Sequence, residues 1–91
     1  MIISFKHRGL SELFECGRSR RLSQDLQSRC LRRLEALDQA EVLVDLHIPG
    51  FNFHGLHGLP ERYSIHANGP WCITFEWDNG EARRVDLEQG H

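Results

Sequence analysis

Between residues 71 and 77 the chain alternates apolar and polar side chains, a pattern with the period of two that is typical of a β-strand. Every second residue is large and apolar, whereas Cys72 and Thr74 fall on the opposite face. Asp78-Asn79-Gly80 follows and supplies the left-handed residues that a tight hairpin requires, and residues 83–87 continue the alternation. The pattern therefore predicts a sheet with one apolar face that is covered and one polar face that stays open as the floor of a site.

The first half of the chain predicts two helices that cover the apolar face. A short strand at Ile2–Lys6 precedes a helix that Ser11 caps and Gly17 ends. Ser23 caps a second helix. Its apolar stripe consists of Leu26, Cys30, Leu34 and Leu37. The element order β-α-α-β-β-β predicts an α+β fold, with two N-terminal helices packed on one face of a small, mostly antiparallel sheet.

Residues 41–60 contain three glycines and two prolines, which break any regular pattern. They predict a loop, with one helical turn from Val42 to Leu46. A chain of 91 residues is long enough for one hydrophobic core, so residues 1–91 are expected to form a single domain.

The cysteines and the N-terminus bear on the compartment. Cys16, Cys30 and Cys72 are odd in number and lie in no paired spacing, which favours a reducing compartment over a disulfide framework. The first residues, 1–8, carry only a short apolar run before charged residues. They therefore predict neither a signal peptide nor a membrane span, and we expect a cytoplasmic protein without a membrane partner.

The net charge of −2 conceals an uneven distribution. Residues 1–40 contain eight Lys and Arg against five Asp and Glu, whereas residues 41–91 contain three against eight. A nucleic-acid enzyme needs a basic surface, and here only the first half can supply one. The candidate RNA-binding residues are Arg18, Arg20, Arg21, Arg29, Arg32 and Arg33. For a run of charges taken alone, the solvated surface of a helix is the commoner explanation.

Three segments of the second half carry a family resemblance. Residues 61–66 read ERYSIH, residues 68–75 read NGPWCITF, and the chain ends at His91. This pattern resembles the HigB branch of the RelE superfamily, the small toxins of bacterial toxin–antitoxin pairs. Its members typically read along the lines of GRYSIRVNGNWRITF, a hairpin and a terminal DYH. The resemblance extends back through Leu34, Leu37 and Asp38 to Gly9-Leu10 and residues 5–7, so it covers nearly the whole chain and implies a RelE-like fold.

The resemblance implies a ribosome-dependent endoribonuclease that cleaves messenger RNA in the ribosomal A site, inhibits translation and needs no cofactor. In such metal-free cleavage the 2′-hydroxyl attacks the neighbouring phosphate. The reaction requires a base for that hydroxyl, cations for the charge on the phosphate and an acid for the leaving 5′-oxygen. The resemblance also implies a HigA-like helix-turn-helix antitoxin as partner, beside the ribosome and its message.

Three candidate site residues match the family. His54 stands where the family has a loop histidine before PLKG, and His91 matches the terminal histidine of DYH. A histidine can serve as base or acid near neutral pH, so this pair is expected to converge across the open sheet face and handle the protons. Arg62 matches the arginine of GRYS, but it could equally be the structural partner of a carboxylate such as Asp86.

Three other positions differ from the family. His57 replaces the lysine of PLKG, Cys72 replaces the arginine of NWRITF, and Gly90 replaces the tyrosine of DYH. The chain thereby loses a permanent charge, a bidentate phosphate clamp and an aromatic ring. His57 can replace the lysine in part, whereas a thiol at the clamp position cannot replace a guanidinium. The predicted active site is therefore weakened or rebuilt.

Two alternatives remain open. The chain has six histidines, and His54 and His57 are three residues apart. If His47, His66 and His91 lie near this pair, they could form a metal site with it. This spacing is a weak signal on a loop, and no cysteine pair supports it. The stronger alternative is a binding module that has lost cleavage and acts through its antitoxin in operon regulation, since fold alone does not determine function.

Overall fold

The computed structural model describes residues 1–90 and has two helices on one face of a four-stranded antiparallel sheet. The elements are α1 (Arg8–Cys16), α2 (Gln24–Gln39), a 3-10 helix (Leu43–Leu46), β1 (His54–Leu56), β2 (Arg62–Asn68), β3 (Trp71–Asp78) and β4 (Glu81–Gln89). The strand order is β1-β2-β3-β4. This arrangement confirms the predicted α+β fold class. Over residues 1–90, no helix has the length and apolar character that a membrane crossing requires.

One face of the sheet forms the core together with the helices. Ile65, Ile73 and Phe75 on β2 and β3 are fully buried, and α2 packs across β2 while α1 contacts β4. The predicted stripe of α2 is confirmed, because all four of its members are buried: Leu26, Cys30, Leu34 and Leu37. Period two in the strands and period 3.6 in the helix thus bring their apolar residues to the same interface.

The hairpin between β3 and β4 has the predicted turn. Asn79 and Gly80 have φ angles of 51° and 82°, the left-handed conformation that a two-residue hairpin turn requires. Further along β4, Arg84 is also left-handed, with φ at 52°, and the pairing register with β3 shifts there. This bulge turns both Ala82 and Val85 into the core, although they are three residues apart.

The predicted opening strand is present only as an extended segment along the edge of β4. Ile2 and Phe5 form isolated parallel bridges with Ala82 and Val85, and the intervening pairing is irregular. The reason is the bulge in β4, where the Arg84 N–H bonds the Ser4 hydroxyl at 2.8 Å rather than a backbone carbonyl. The first element of the predicted order is therefore not a regular strand.

The prediction of a loop over residues 41–60 is wrong at one place, because β1 lies inside it. His54 pairs with Ser64, and Leu56 pairs with Arg62, so these three residues extend the sheet. A strand this short, with Gly55 at its centre, carries no alternation of its own and is defined by its neighbour β2. The predicted turn over Val42–Leu46 is confirmed by the 3-10 helix.

The helix boundaries differ from prediction at the start of α1. The helix begins at Arg8, and His7 rather than Ser11 caps it, with its Nδ1 accepting a hydrogen bond from the Leu10 N–H at 3.2 Å. The predicted end is confirmed, since Gly17 is left-handed with φ at 81°. Ser23 does precede α2 in the cap position, but its side chain makes no capping hydrogen bond.

Candidate active site

The open face of the sheet presents two rows of polar side chains that run across the strands. One row contains His54, Ser64, Thr74 and Asp86, and the next contains His66, Cys72 and Glu88. Residues directly opposite each other on adjacent antiparallel strands point to the same face, with Cβ atoms about 4.5–5.5 Å apart. Cys72 and Thr74 therefore lie on the open face, as the alternation predicts.

A cavity of about 490 Å³ lies over these rows. Its wall includes the turn between β2 and β3 and the residue that follows β4. The lining residues with side chains able to take part in polar chemistry are Asn52, His54, Ser64, His66, Cys72, Thr74, Glu88 and Gln89. None of the lining residues in the described part of the chain, 1–90, is a lysine or an arginine. Side chains around the cavity can therefore donate and accept protons, but none of those within residues 1–90 carries a permanent positive charge.

His54 lines this cavity from β1 and has a defined tautomer. Its Nδ1 lies 3.0 Å from the carbonyl oxygen of Asn52. A carbonyl only accepts, so Nδ1 carries a proton and the lone pair of the neutral ring lies on Nε2. His54 is exposed, which leaves this second nitrogen free to act as a base toward a bound molecule.

His66 also lines the cavity and is held at three points. Its Nε2 lies 2.9 Å from the Gly69 carbonyl oxygen, which places the proton on Nε2 and leaves Nδ1 as the basic nitrogen. Its backbone N–H donates to Phe51 at 2.6 Å, and its carbonyl accepts from Arg33 Nε at 2.8 Å. The sequence suggested His66 only as a candidate metal ligand. Because His66 lies two residues from Ser64 on the same strand, the alternation could have predicted that both face the site.

Arg33 lies inside the protein and not on the basic surface that its choice as a candidate RNA-binding residue requires. Only 8% of Arg33 is exposed, and its guanidinium lies 4.8 Å from the centre of the Phe51 ring. Burial lowers the pKa of Arg33, and the nearby Arg29 and Arg32 lower it further. At about 100° per residue, position 33 points only about 20° away from Leu26 at the edge of the apolar stripe of α2, so the helix turns it inward.

Arg62 is held by a carboxylate on the neighbouring strand, beside the first row. Its guanidinium lies 3.2 Å from Glu76 and donates to the Thr74 hydroxyl at 2.8 Å. Arg84 also bonds Glu76, at 3.1 Å. The structural partner is therefore Glu76 and not Asp86, because pairing of β2 with β3 places Glu76 directly opposite Arg62.

The other predicted site positions are placed differently. His57 is exposed in the connection between β1 and β2 and is not part of the cavity wall. His91 lies outside the described residues, and Gly90, which precedes it in the sequence, lines the cavity. A Cβ atom added to Gly90 would lie 2.7 Å from the Cys72 sulfur, so the two departures from the family touch each other.

The remaining arginines are exposed but form two groups. Arg18, Arg20 and Arg21 surround a separate depression, where Arg21 lies 3.3 Å from Glu12. Gln27 of α2 lines the same depression. At about 100° per residue, the other two α2 arginines, 29 and 32, point about 140–160° away from Gln27. The predicted RNA-binding residues therefore do not form one continuous patch.

Of the candidate metal ligands within residues 1–90, His54 and His66 line the same cavity, whereas His47 and His57 lie outside it. In the described part of the chain, residues 1–90, no group of three or more His, Cys, Asp or Glu side chains is arranged to hold a metal ion. His47 instead lies against the ring of Phe53, with centroids 5.1 Å apart.

Comparison with known proteins agrees with this architecture. Residues 3–89 match the family model for the RelE-like toxin of the type II toxin–antitoxin system HigB. The chain is 38% identical to the Endoribonuclease HigB of Proteus vulgaris over 92 aligned positions that cover all of both proteins. It is 33% identical to the Toxin HigB-1 of Vibrio cholerae serotype O1, over 97% of this chain and 96% of that protein. The predicted resemblance is thereby confirmed, and the chain belongs to the HigB-like toxins of type II toxin–antitoxin systems.

Proposed function

We propose that this chain is a toxin that cleaves messenger RNA on the ribosome and so inhibits translation. The observation that carries the proposal is the cavity on the open sheet face, where His54 and His66 each keep one ring nitrogen free to contact a bound molecule. The relative from Proteus vulgaris is named an endoribonuclease and matches the chain from end to end.

The proposed reaction is an internal transfer of the phosphoryl group. The 2′-oxygen of one nucleotide bonds to the phosphorus as the bond to the 5′-oxygen of the next nucleotide breaks, leaving a 2′,3′-cyclic phosphate and a 5′-hydroxyl. His54 takes the proton of the 2′-hydroxyl through Nε2, and His91 gives a proton to the 5′-oxygen. In this proposal the bases and acids are side chains, so no cofactor takes part.

We expect the reaction to be slow compared with that of a site with a full set of cations. Removal of one donor to the developing charge typically costs about a hundred- to a thousandfold in rate. Cys72 occupies the position where the family has an arginine, and Arg62 already bonds Glu76. The ribosome can offset part of this loss, because it holds the message in place and thus lowers the entropic cost of alignment.

The partners follow from the same proposal. Cleavage on ribosomes requires the chain to act in the cytoplasm, and a toxin of this class is kept silent by its antitoxin. The family resemblance points to a HigA-like helix-turn-helix protein as that antitoxin.

A second candidate function is supported by the lack of lysine or arginine around the cavity within residues 1–90. A chain with such a site could have lost cleavage and still bind its antitoxin. It would then act in repression of its own operon. The two functions differ in whether the protein stops growth when it is produced without its antitoxin.

Induction of the chain without its neighbouring gene distinguishes them. We expect growth arrest within a generation, with transcripts cut to leave 5′-hydroxyl ends. A His54→Ala variant should relieve both effects, whereas His47→Ala serves as the matched control because His47 lies outside the cavity. Healthy growth with intact transcripts, together with co-purification of the antitoxin, would establish the binding module instead.

A further inference from the structure

We propose that His66 binds the scissile phosphate as a protonated imidazole and supplies the charge that Cys72 cannot. The inference rests on the proposed function, since it names the group that holds the substrate in the same cavity. It makes phosphate binding in this toxin dependent on pH, which a permanently charged arginine would not do.

The position of His66 is the first argument. His66 and Cys72 are directly opposite each other on β2 and β3, so their Cβ atoms are about 4.5–5.5 Å apart. Both residues line the cavity. Within residues 1–90, the histidines at 54 and 66 are the only lining side chains that can become positively charged, and His66 is the one beside the vacant clamp position.

The second argument is that the ring is already held in place. The Gly69 carbonyl accepts from Nε2 at 2.9 Å, and this bond strengthens when the ring gains a charge, because a charged donor bonds a carbonyl more tightly. The strand end beneath the ring is fixed by Phe51 on one side and by the buried Arg33 on the other. A phosphate that binds Nδ1–H therefore meets a donor that needs little reorganisation.

The charged groups that face the ring differ in sign. Glu88 on β4 faces it across Cys72 and favours the protonated ring, whereas Arg33 from α2 and a protonated His54 on β1 oppose it. Imidazole generally changes its charge between about pH 5 and 8. A phosphate is negative throughout this range, so its binding at His66 should strengthen as the pH falls.

The test uses a fluorescein-labelled RNA trinucleotide whose central residue is 2′-deoxy and so cannot be cut. We expect the wild-type protein to bind it about tenfold more tightly at pH 6 than at pH 8, the factor of one charge-assisted hydrogen bond. His66→Gln should bind at both pH values as the wild type does at pH 8. Its amide can still donate to Gly69, so the fold is retained.

Two further variants make the outcome specific. His66→Arg carries a permanent charge and should bind tightly at pH 6 and pH 8 alike. His47→Gln, which removes an exposed histidine outside the cavity, should behave as the wild type does. Cleavage of a message on programmed ribosomes should be fast in the variants that bind tightly and slow in those that bind weakly. At pH 6, His66→Gln should cleave about a hundredfold more slowly than the wild type.

Each result decides the matter. The inference is overturned if the wild-type protein shows no pH-dependent binding, if His66→Gln binds normally at pH 6, or if folded His66→Arg binds no better than His66→Gln. His66-dependent binding by a wild-type protein that cleaves nothing would confirm the phosphate site and refute the endoribonuclease. Cleavage that His66→Gln leaves unchanged would support the endoribonuclease and refute the phosphate site at His66.

Discussion

The two faces of the sheet are built from the same strands but have different roles: one forms the hydrophobic core, and the other lines the candidate active site. On the covered face, Ile73 and Phe75 are fully buried between the sheet and the helices. On the open face, their neighbours Cys72 and Thr74 line the candidate active site. Consecutive residues thus alternate between holding the fold and serving the site, so a toxin can change its chemistry one position at a time without disturbing its core.

The energetics of the faces differ accordingly. Burial of one large apolar side chain on the covered face contributes about 1.5–3 kcal/mol to stability. The open face gains little from burial, and its polar groups are held by hydrogen bonds such as that from Arg62 to Thr74. Within residues 1–90 no buried side-chain nitrogen or oxygen lacks a partner. Variants on the open face should therefore alter activity, and variants on the covered face should alter stability.

The largest effect is expected from the two histidines assigned to proton transfer. His54→Ala and His91→Ala should each lower message cleavage about 10²- to 10⁴-fold, the usual contribution of a positioned acid or base. The urea midpoint of His54→Ala should stay at the wild-type value, because His54 is exposed. A folded variant of either kind that cleaves normally would show that the proton-handling pair is wrongly assigned.

Truncation on the covered face should act on stability instead. Phe75→Ala removes a fully buried ring and is expected to lower the free energy of unfolding by about 3–5 kcal/mol, as measured by urea denaturation. Cys72→Ala is the matched control three positions away on the open face and should lose less than about 1 kcal/mol. Equal losses in the two variants would refute the division between the faces.

The reactivity of the cysteines should also distinguish the buried core from the exposed surface. Burial raises the pKa of Cys30 to about 11, so at pH 8 its thiolate is about a hundredfold scarcer than in the unfolded chain. Iodoacetamide should label Cys30 slowly in native protein and rapidly in urea, with the exposed Cys16 as control. The shift also lowers stability above about pH 9, because the unfolded chain then releases a proton that the native chain keeps. Equal native labelling of both residues would indicate that α2 opens.

Restoring the missing charge should raise activity. Cys72→Arg is expected to increase cleavage about tenfold, somewhat less than a pre-organised donor contributes. Gly90→Tyr alone should lose stability, because its Cβ would lie 2.7 Å from the Cys72 sulfur. In the double variant that sulfur is gone and the longer side chain can turn into the cavity, so cleavage should rise further. A folded double variant without any gain would mean that the site uses other groups.

The smallest effect is expected from the exposed arginines, which the structure divides into two pairs for testing. Arg18→Gln/Arg20→Gln and Arg29→Gln/Arg32→Gln should each lower the salt dependence of ribosome binding by about 1.5 units of slope. Thermal stability should scarcely change, because exposed charges contribute little. A pair that binds ribosomes normally but loses the antitoxin marks the surface that the acidic partner covers.

Much of this molecule could be predicted from local patterns. The alternation through residues 71–77 correctly predicted which face of β3 is open, and the turn at Asn79 and Gly80 was predicted from residue types that tolerate a left-handed backbone. The spacing of α2 predicted its buried stripe. These features depend on residues close in sequence, for which the repeat of the backbone alone determines direction.

Other features could not be predicted in this way. His54 belongs to a strand only because β2 pairs with it, and nothing within residues 54–56 indicates this. The structural partner of Arg62 depended on strand register, which selected Glu76 over Asp86. Whether the predicted site residues act in catalysis remains a prediction, and the structure adds His66 to them.

The sequence by itself determined the core stripes, because these depend on residue types at fixed spacings, and its motifs identified the family. The candidate proton carriers are a prediction that the family resemblance supplies. Only the tertiary structure decided that Arg33 turns inward and bonds the carbonyl of His66, which is 33 residues away. Such a contact depends on how a helix crosses a sheet, and the crossing is fixed by the packing of many side chains together. Local periodicity carries no information about that choice.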